Sequence, residues 1–275
     1  MLAGVAFDEA GVARGAMGTD AADFDRSGRF SLVVGNFANE MLGLYRNEGN
    51  GLFIDVAPQT QVGRQSLLTL AFGCFFFDAD GDGWQDIFVA NGHVENEINR
   101  VQRGVFYRQA PHLFWNAGGR NFRDVAAEAG LTDALVGRGA AYGDFDGDGD
   151  LDVVVTECGG AARVYRNDTP RRNLLRIRLV GRESNRDAVG AKVVVRAGSA
   201  VQRQIVRAGS SYCSQSELTL TFGLGDERRA TQVEVVFPSG RRQFLTNVAA
   251  GQTITVAEGR GIVASRPFAR GTAGR

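Results

Sequence analysis

At 275 residues, with hydrophobic side chains making up 44%, the chain can bury one large core or two modest ones and is excluded from the disordered class. Its 31 basic side chains balance 31 acidic ones, which excludes the global positive field that gathers nucleic acid or anionic lipid. No apolar run reaches the roughly 18 to 20 residues that span a bilayer, and Cys74, Cys158 and Cys213 are too few and too scattered for a disulfide framework or a Cys-x-x-Cys metal site.

The N-terminal stretch "MLAGVAFDEAG" has neither the basic region nor the apolar core of a signal peptide. From residue 15 one order of features recurs three times: a Gly/Ala-rich strand, an Asp loop, a β-branched strand, a short strand ending in Asn, and a Phe-x-Asp-Val strand. The first unit runs from "GAMGTDAADFDRSGRFSLVVGNF" to "LGLYRNEGNGLFIDV" and the second from "LAFGCFFFDADGDGWQDIFVANGHV" to "HLFWNAGGRNFRDV". The third, "GRGAAYGDFDGDGDLDVVVTE" then "ARVYRND", stops without its last strand.

The loops begin at Asp23, Asp78 and Asp144, so the repeat lengths are 55 and 66 residues, which suits a four-stranded sheet with a loop insertion. Strands such as "DIFVA" and "LDVVVT" are dense in β-branched and aromatic residues and bounded by Gly and Asn turns. A sheet this small cannot bury both faces alone, so neighbours must stack. The expectation for residues 1–170 is a partial β-propeller of about three blades. The second unit carries an insertion, "HVENEINRVQRGVFYRQAP". A loop of this length is functional or flexible rather than a mere connection, and its Phe106 and Tyr107 read equally as an exposed contact or as residues folded back on the blade.

Carboxylates fill positions 1, 3, 5 and 9 of "DADGDGWQD" and "DFDGDGDLD", with glycine at 4 and 6. Each close pair repels by about 1 kcal/mol in water and several times more near a protein surface. A cation bound by all of them offsets this, and several carboxylates on a tightly turned loop are what Ca²⁺ takes. The expected ligands are Asp78, Asp80, Asp82, the carbonyl of Trp84 and Asp86 in one loop, and Asp144, Asp146, Asp148, the carbonyl of Asp150 and Asp152 in the other. Neither is an EF-hand, since Val89 and Val155 stand where a bidentate Glu is required and a strand follows. The first loop, "DFDRSGRFS", offers Asp23, Asp25, Ser27, the position-7 residue Arg29 and Ser31, a weak or empty site with two arginines beside it.

From Asn173 onward, short alternating strands ("LLRIRLV", "AKVVVRA", "RQIVRAG", "ELTLTFG", "QVEVVFP", "RQFLTNV", "QTITVAE") predict a small β-sandwich over 171–259. The tail 260–275 has no periodicity and is expected to be loosely held. The arginine excess after Arg163 reads as a solvated surface.

The repeats resemble FG-GAP/VCBS repeats, in the version typical of the cartilage acidic protein family. "NLLRIRLVGRESNRDAVGAKVVV", "GSSYCSQSE", "FGLG" and "FPSG" are similar to the ASPIC/UnbV domain that follows them. The resemblance implies an all-β chain: a partial propeller of FG-GAP blades, then a sandwich. It further implies structural Ca²⁺, an extracellular or periplasmic location, and a protein or glycan ligand. Family propellers have about seven blades, so three units imply a fragment of a longer protein, or an oligomer if the three-unit chain is complete. Cys213 and Phe237 depart from the family's usual residues but keep the positions apolar.

No catalytic residue is assigned. His93 reads as a structural residue after a blade strand and His112 as a weaker candidate, and no Gly-x-Ser-x-Gly elbow or phosphate-binding glycine loop occurs. A ligand surface, if there is one, draws on His93, Phe106, Tyr107, Asn185, Arg186 and Tyr212. The competing reading of the second-domain residues is turn capping. The alternative to a binding module is a Ca²⁺-dependent enzyme, a hydrolase or a catalyst of secondary metabolism, with its site at the propeller mouth or between the domains. A pocket of convergent ionisable groups away from the Asp loops would favour it.

Overall fold

A computed structural model describes residues 3–8, 10–170 and 172–269. The first unit folds as β1 (Thr19–Ala22), β2 (Ser31–Val34), β3 (Gly43–Gly49) and β4 (Leu52–Asp55), paired in that order. A short helix, α1 (Gln61–Ser66), leads to the second: β5 (Ala71–Phe77), β6 (Asp86–Asn91), β7 (His112–Ala117) and β8 (Asn121–Asp124). The third has β9 (Gly137–Gly143), β10 (Asp152–Glu157) and β11 (Arg163–Tyr165), and among the described residues no fourth strand joins it.

The inner strand of the second blade, β5, is apolar throughout because the first and third blades cover its two faces. Every residue of β5, "AFGCFFF", is buried. Phe24, Phe76, Ile87, Phe114 and Phe122 join the first two blades in one core, and Phe75, Phe77, Phe88, Leu151 and Val153 join the second and third. Gly73 marks how close the blades come: a Cβ there would lie 2.8 Å from the Ala140 backbone nitrogen.

The C-terminal part forms two sheets. One orders β15 (Leu220–Gly223), β12 (Leu174–Val180), β18 (Gln252–Ala257) and β19 (Gly261–Pro267). The other orders β14 (Ala200–Ile205), β13 (Lys192–Ala197), β16 (Arg229–Val236) and β17 (Arg242–Ala249). Leu175, Ile177, Val193, Val195, Phe222, Val233 and Ile254 place strands of both sheets around one core. The chain is all-β, and its five small sheets have the count of a five-bladed propeller, which differs in detail from three blades followed by a sandwich.

Two expectations change. The start of the supposed loose tail is β19, whose Gly261–Pro267 pairs along β18. It hides no face, so no apolar periodicity announces it; backbone hydrogen bonds to an otherwise open edge hold it. Residues 270–275 lie outside the described residues. The arginines of the C-terminal part are not all a solvated surface: Arg176 is buried against the third Asp loop.

The insertion contains α2 (Ile98–Val101) and is anchored by Ile98 and Val105, which pack with Ala38, Leu70 and Phe72. A buried carboxylate pins the turn that follows β12. Glu258 accepts the N–H groups of Arg182, Glu183 and Ser184 at 2.7, 2.8 and 2.8 Å, together with the Ser184 and Ser239 hydroxyls. Despite its burial, these donors hold its carboxyl down to about 2.

Candidate metal loops and the seam they line

Each Asp loop joins the first and second strands of its blade, and its position-9 residue opens the second strand. In the second loop Asp78, Asp80 and Asp86 bring carboxylate oxygens within 4.8 Å of one another, and in the third Asp144, Asp146 and Asp152 do the same. Glycines at positions 4 and 6 permit this, with φ of 71° and 84° at Gly81 and Gly83 and of 79° and 102° at Gly147 and Gly149.

The position-5 carboxylates stand outside these groups. Asp82 accepts the Trp84 N–H at 2.8 Å and Asp148 the Asp150 N–H at 3.3 Å, each bracing its loop's own turn. Trp84 packs its ring under the Arg26 guanidinium, 3.7 Å from the centroid. At the corresponding position Asp150 adds another carboxyl, which burial and Asp148 beside it push up to about 8.

The first loop follows the same backbone plan with different chemistry. Asp23 accepts the Gly28 N–H at 2.9 Å, Asp25 the Ser27 N–H at 3.1 Å, and Arg29 donates to the Asn47 carbonyl at 2.7 Å. Among the described residues no group of three acidic or other metal-ligating side chains assembles there.

The position-9 residue has a second task. Asp86 accepts the backbone N–H of Asn116 at 2.7 Å, Asp152 that of Asn167 at 2.8 Å, and Ser31 that of Asn47 at 3.0 Å. The Asn carboxamides then reach backward: Asn116 donates to the Phe24 carbonyl of the first loop at 3.0 Å, and Asn167 to the Ala79 carbonyl of the second at 2.7 Å. Asn116 and Asn167 therefore each bind their own loop and the one before it, whereas Asn47 donates to the Phe30 carbonyl of its own loop at 2.9 Å.

The sequence reading missed what faces the loops from the C-terminal part. Each position-1 carboxylate is met there by a donor. Arg203 lies 3.4 Å from Asp23, the Gly223 N–H lies 3.1 Å from Asp78, and Arg176 pairs with both Asp144 and Glu217. Arg207 pairs with the buried Asp20 at 2.5 Å. The fit at Gly223 is tight, since a Cβ would lie 2.1 Å from Asp78 Oδ2. A signal was present in "LLRIRLV": Leu175, Ile177 and Leu179 alternate toward the C-terminal core, which turns Arg176 to the opposite face.

The seam leaves the second loop short of positive charge. Burial pushes the Asp78 carboxyl up to about 8, with Asp82 and Asp80 adding to the effect, and Asp86 is also raised well above the usual carboxylate range by burial. Arg172 stands 3.5 Å from Asp80.

The residues considered for a ligand surface lie in different surroundings. His93 is buried, 3% exposed, with its Nδ1 3.0 Å from the Glu95 backbone nitrogen and its ring edge-on to Phe37, so it is a core residue rather than part of a surface. Phe106 is 57% exposed, and Tyr107 is half-buried with its carbonyl accepting the His93 N–H. Asn185 is exposed and closes its own turn through the Val189 N–H and carbonyl, both at 2.8 Å; Arg186 is exposed. Tyr212 packs edge-on against Phe72 in the seam.

His112 pairs with Asp124 at 2.6 Å and lies 3.2 Å from the Thr69 hydroxyl, beside a cleft of about 430 Å³. The order hydroxyl, imidazole, carboxylate resembles a hydrolytic relay, but the repeat explains it. Asp55, at the same place in the first blade, pairs with Arg14 at 2.8 Å. A nitrogen donor on this Asp belongs to the blade.

Comparison with known proteins agrees with the repeat. The FG-GAP-like repeat model matches residues 23–89 and 99–170, and the ASPIC and UnbV model matches 181–263. The chain is 30% identical to human cartilage acidic protein 1 over 254 residues, covering 88% of this chain and 35% of the relative. It is also 30% identical to the Xenopus tropicalis protein of that name over 250 residues, covering 87% of this chain and 36% of the relative. It thus spans about a third of the length of the curated relatives it matches. Among solved structures, the V. cholerae biofilm matrix protein Bap1 aligns at 10% identity over 92% of this chain and 42% of that one, with a TM-score of 0.30. With its Asp loops, repeated Asn clasps and C-terminal sheets in place, the chain belongs to the FG-GAP-like repeat family, in the group that carries an ASPIC and UnbV domain.

Proposed function

We infer that this is a Ca²⁺-stabilised interaction module of extracellular or periplasmic type, three blades and a docked two-sheet sandwich, which presents its outer surface to a protein or glycan. The observation that carries the reading is the pair of three-carboxylate groups, each with oxygens within 4.8 Å of one another. Ligands on opposite sides of one Ca²⁺ stand about 5 Å apart, so each group fits a single ion, and carboxylate oxygens are the donors this ion prefers. Asp78, Asp80 and Asp86 would hold one ion and Asp144, Asp146 and Asp152 the other. The carbonyls of Trp84 and Asp150 and the carboxylates of Asp82 and Asp148 are the further oxygens close at hand. The sandwich reading of the last two sheets is supported by the single core they share.

The ion's task in this reading is structural: it neutralises buried charge at the seam where the blades meet the sandwich. No helix among the described residues is long and apolar enough to cross a membrane. The test is thermal unfolding with Ca²⁺ and with chelator, repeated after Asp78, Asp80, Asp144 and Asp146 are all changed to Asn. An ion at 100 times its Kd that binds only the folded state adds about 2.7 kcal/mol per site. A calcium-dependent rise in Tm that disappears in the variant is the expected result; no rise in the parent chain refutes the reading.

A further inference from the structure

The three blades can be compared strand by strand, and the comparison singles out the outer edge of the third. In the first two blades the fourth strand is bound the same way. Asp55 lies opposite Tyr45 and Asp124 opposite Phe114. One oxygen of each Asp accepts two N–H groups, from Leu44 and Ala57 at 3.2 and 3.0 Å and from Leu113 and Ala126 at 3.4 and 3.1 Å. The other oxygen meets a basic side chain, Arg14 at 2.8 Å or the His112 imidazole at 2.6 Å. Two residues earlier stands a phenylalanine. Phe122, opposite Asn116, is 4% exposed and packs its ring 5.6 Å from Phe24, filling the space between the second blade and the first.

The third blade has the matching edge and, among the described residues, no fourth strand. Its outermost strand β11 pairs on one side only, with β10. Arg163 stands at the position of His112, Val164 at that of Leu113 and Tyr165 at that of Phe114. Val164 is 64% exposed, where its counterpart Leu44 in the first blade is fully buried. Where a counterpart of Phe122 would enter there is an open groove of about 530 Å³, lined by Phe77, Phe88, Leu131, Leu151 and Val153. The Tyr165 hydroxyl on this edge is buried without a hydrogen-bond partner. Arg163 is half-exposed and stands 4.0 Å from Glu157, a carboxylate already paired with Arg108 at 2.7 Å.

We propose that the β11 edge is a binding site for one extended segment of the pattern aromatic-x-Asp-Val, a segment that is none of the described strands. The segment adds as an antiparallel fourth strand, with its aromatic ring in the groove opposite Asn167, its Asp opposite Tyr165, and its carboxylate accepting the Val164 N–H and facing Arg163. Main-chain pairing gives the affinity, while the groove and the arginine give the selection. Every described strand of this chain already has a place in a sheet, so the segment comes from outside them. The site deepens the interaction-module reading and rests on it, but it needs no calcium.

The probe is a fluorescent peptide with the sequence of residues 119–128, GRNFRDVAAE, titrated against the full 275-residue chain and followed by anisotropy. Saturable binding is expected, and the Phe122→Ser and Asp124→Lys peptides should each bind at least about tenfold more weakly. Arg163→Glu in the protein should weaken the parent peptide by about tenfold at unchanged Tm. Three results would overturn the proposal: no binding of the parent peptide, equal binding of all three peptides, or a chain that dimerises through this edge by light scattering and is not dissociated by the peptide. Running the titration in Ca²⁺ and in chelator separates the readings, because peptide binding that persists without any calcium effect on Tm sinks the metal reading alone.

Discussion

The second and third Asp loops have the same carboxylate spacing and the same glycines, yet the C-terminal part treats them differently. Asp78 receives a neutral backbone N–H from Gly223, whereas Asp144 receives the guanidinium of Arg176, which Glu217 holds from its other end. A motif of this kind specifies where oxygens converge, and the neighbouring domain decides how much of their charge is already balanced. The first loop is the far case, with Asp23 beside Arg203 and no three-carboxylate group.

Arg176→Leu should break the comparison most strongly. It strands Asp144 and Glu217 in the seam, and removing one partner of a buried ion pair costs about 3 to 5 kcal/mol. Denaturant unfolding in chelator should show that loss, and Ca²⁺ should recover part of it if the third loop takes the ion. Gly223→Ala attacks the other side by driving a methyl group into Asp78, with an expected cost of about 1 to 3 kcal/mol. Terbium luminescence sensitised by Trp84, which lies in the second loop, should report that damage and stay unchanged in the Arg176 variant.

The pH dependence sharpens the contrast by a smaller amount. The Asp78 carboxyl sits near 8 in the folded chain, against 3.8 ordinarily. Its contribution to stability is therefore complete below about pH 4 and is lost as pH rises toward 8 when no ion is bound. Calcium must displace that proton, so the calcium-induced rise in Tm should be larger at pH 8 than at pH 5. Glu258 runs the opposite way: its carboxyl is held at about 2, so its contribution is present above about pH 4.5 and disappears as pH falls toward 2. Ser31→Ala is the smallest change, removing one acceptor from the Asn47 N–H at a cost of about 1 kcal/mol that should not depend on calcium.

Much of this was legible in the chain. The three units, the missing fourth strand of the third and the convergence of carboxylates follow from spacing and from glycine at fixed places, because a tight loop leaves the backbone few ways to turn. Two kinds of feature were not. β19 buries no face, so it leaves no periodic mark, and its place is set by an edge that exists only after folding. Arg176, Arg203 and Gly223 lie 32, 180 and 145 residues from the aspartates they meet, and nothing local couples residues so far apart. That Asp82 and Asp148 stand outside the three-carboxylate groups was hidden for a different reason: an aspartate two residues before an N–H can brace its own turn as readily as it can join a cluster.

The Asn clasps make the blade array directional. Asn116 can finish its hydrogen bonding only once the Phe24 carbonyl of the preceding loop is fixed, and Asn167 only once that of Ala79 is. A chain emerging from the ribosome N-terminus first presents these acceptors in that order. Each completed loop is then the template on which the following blade sets its register, and the last to be set is the blade that still has an edge to offer.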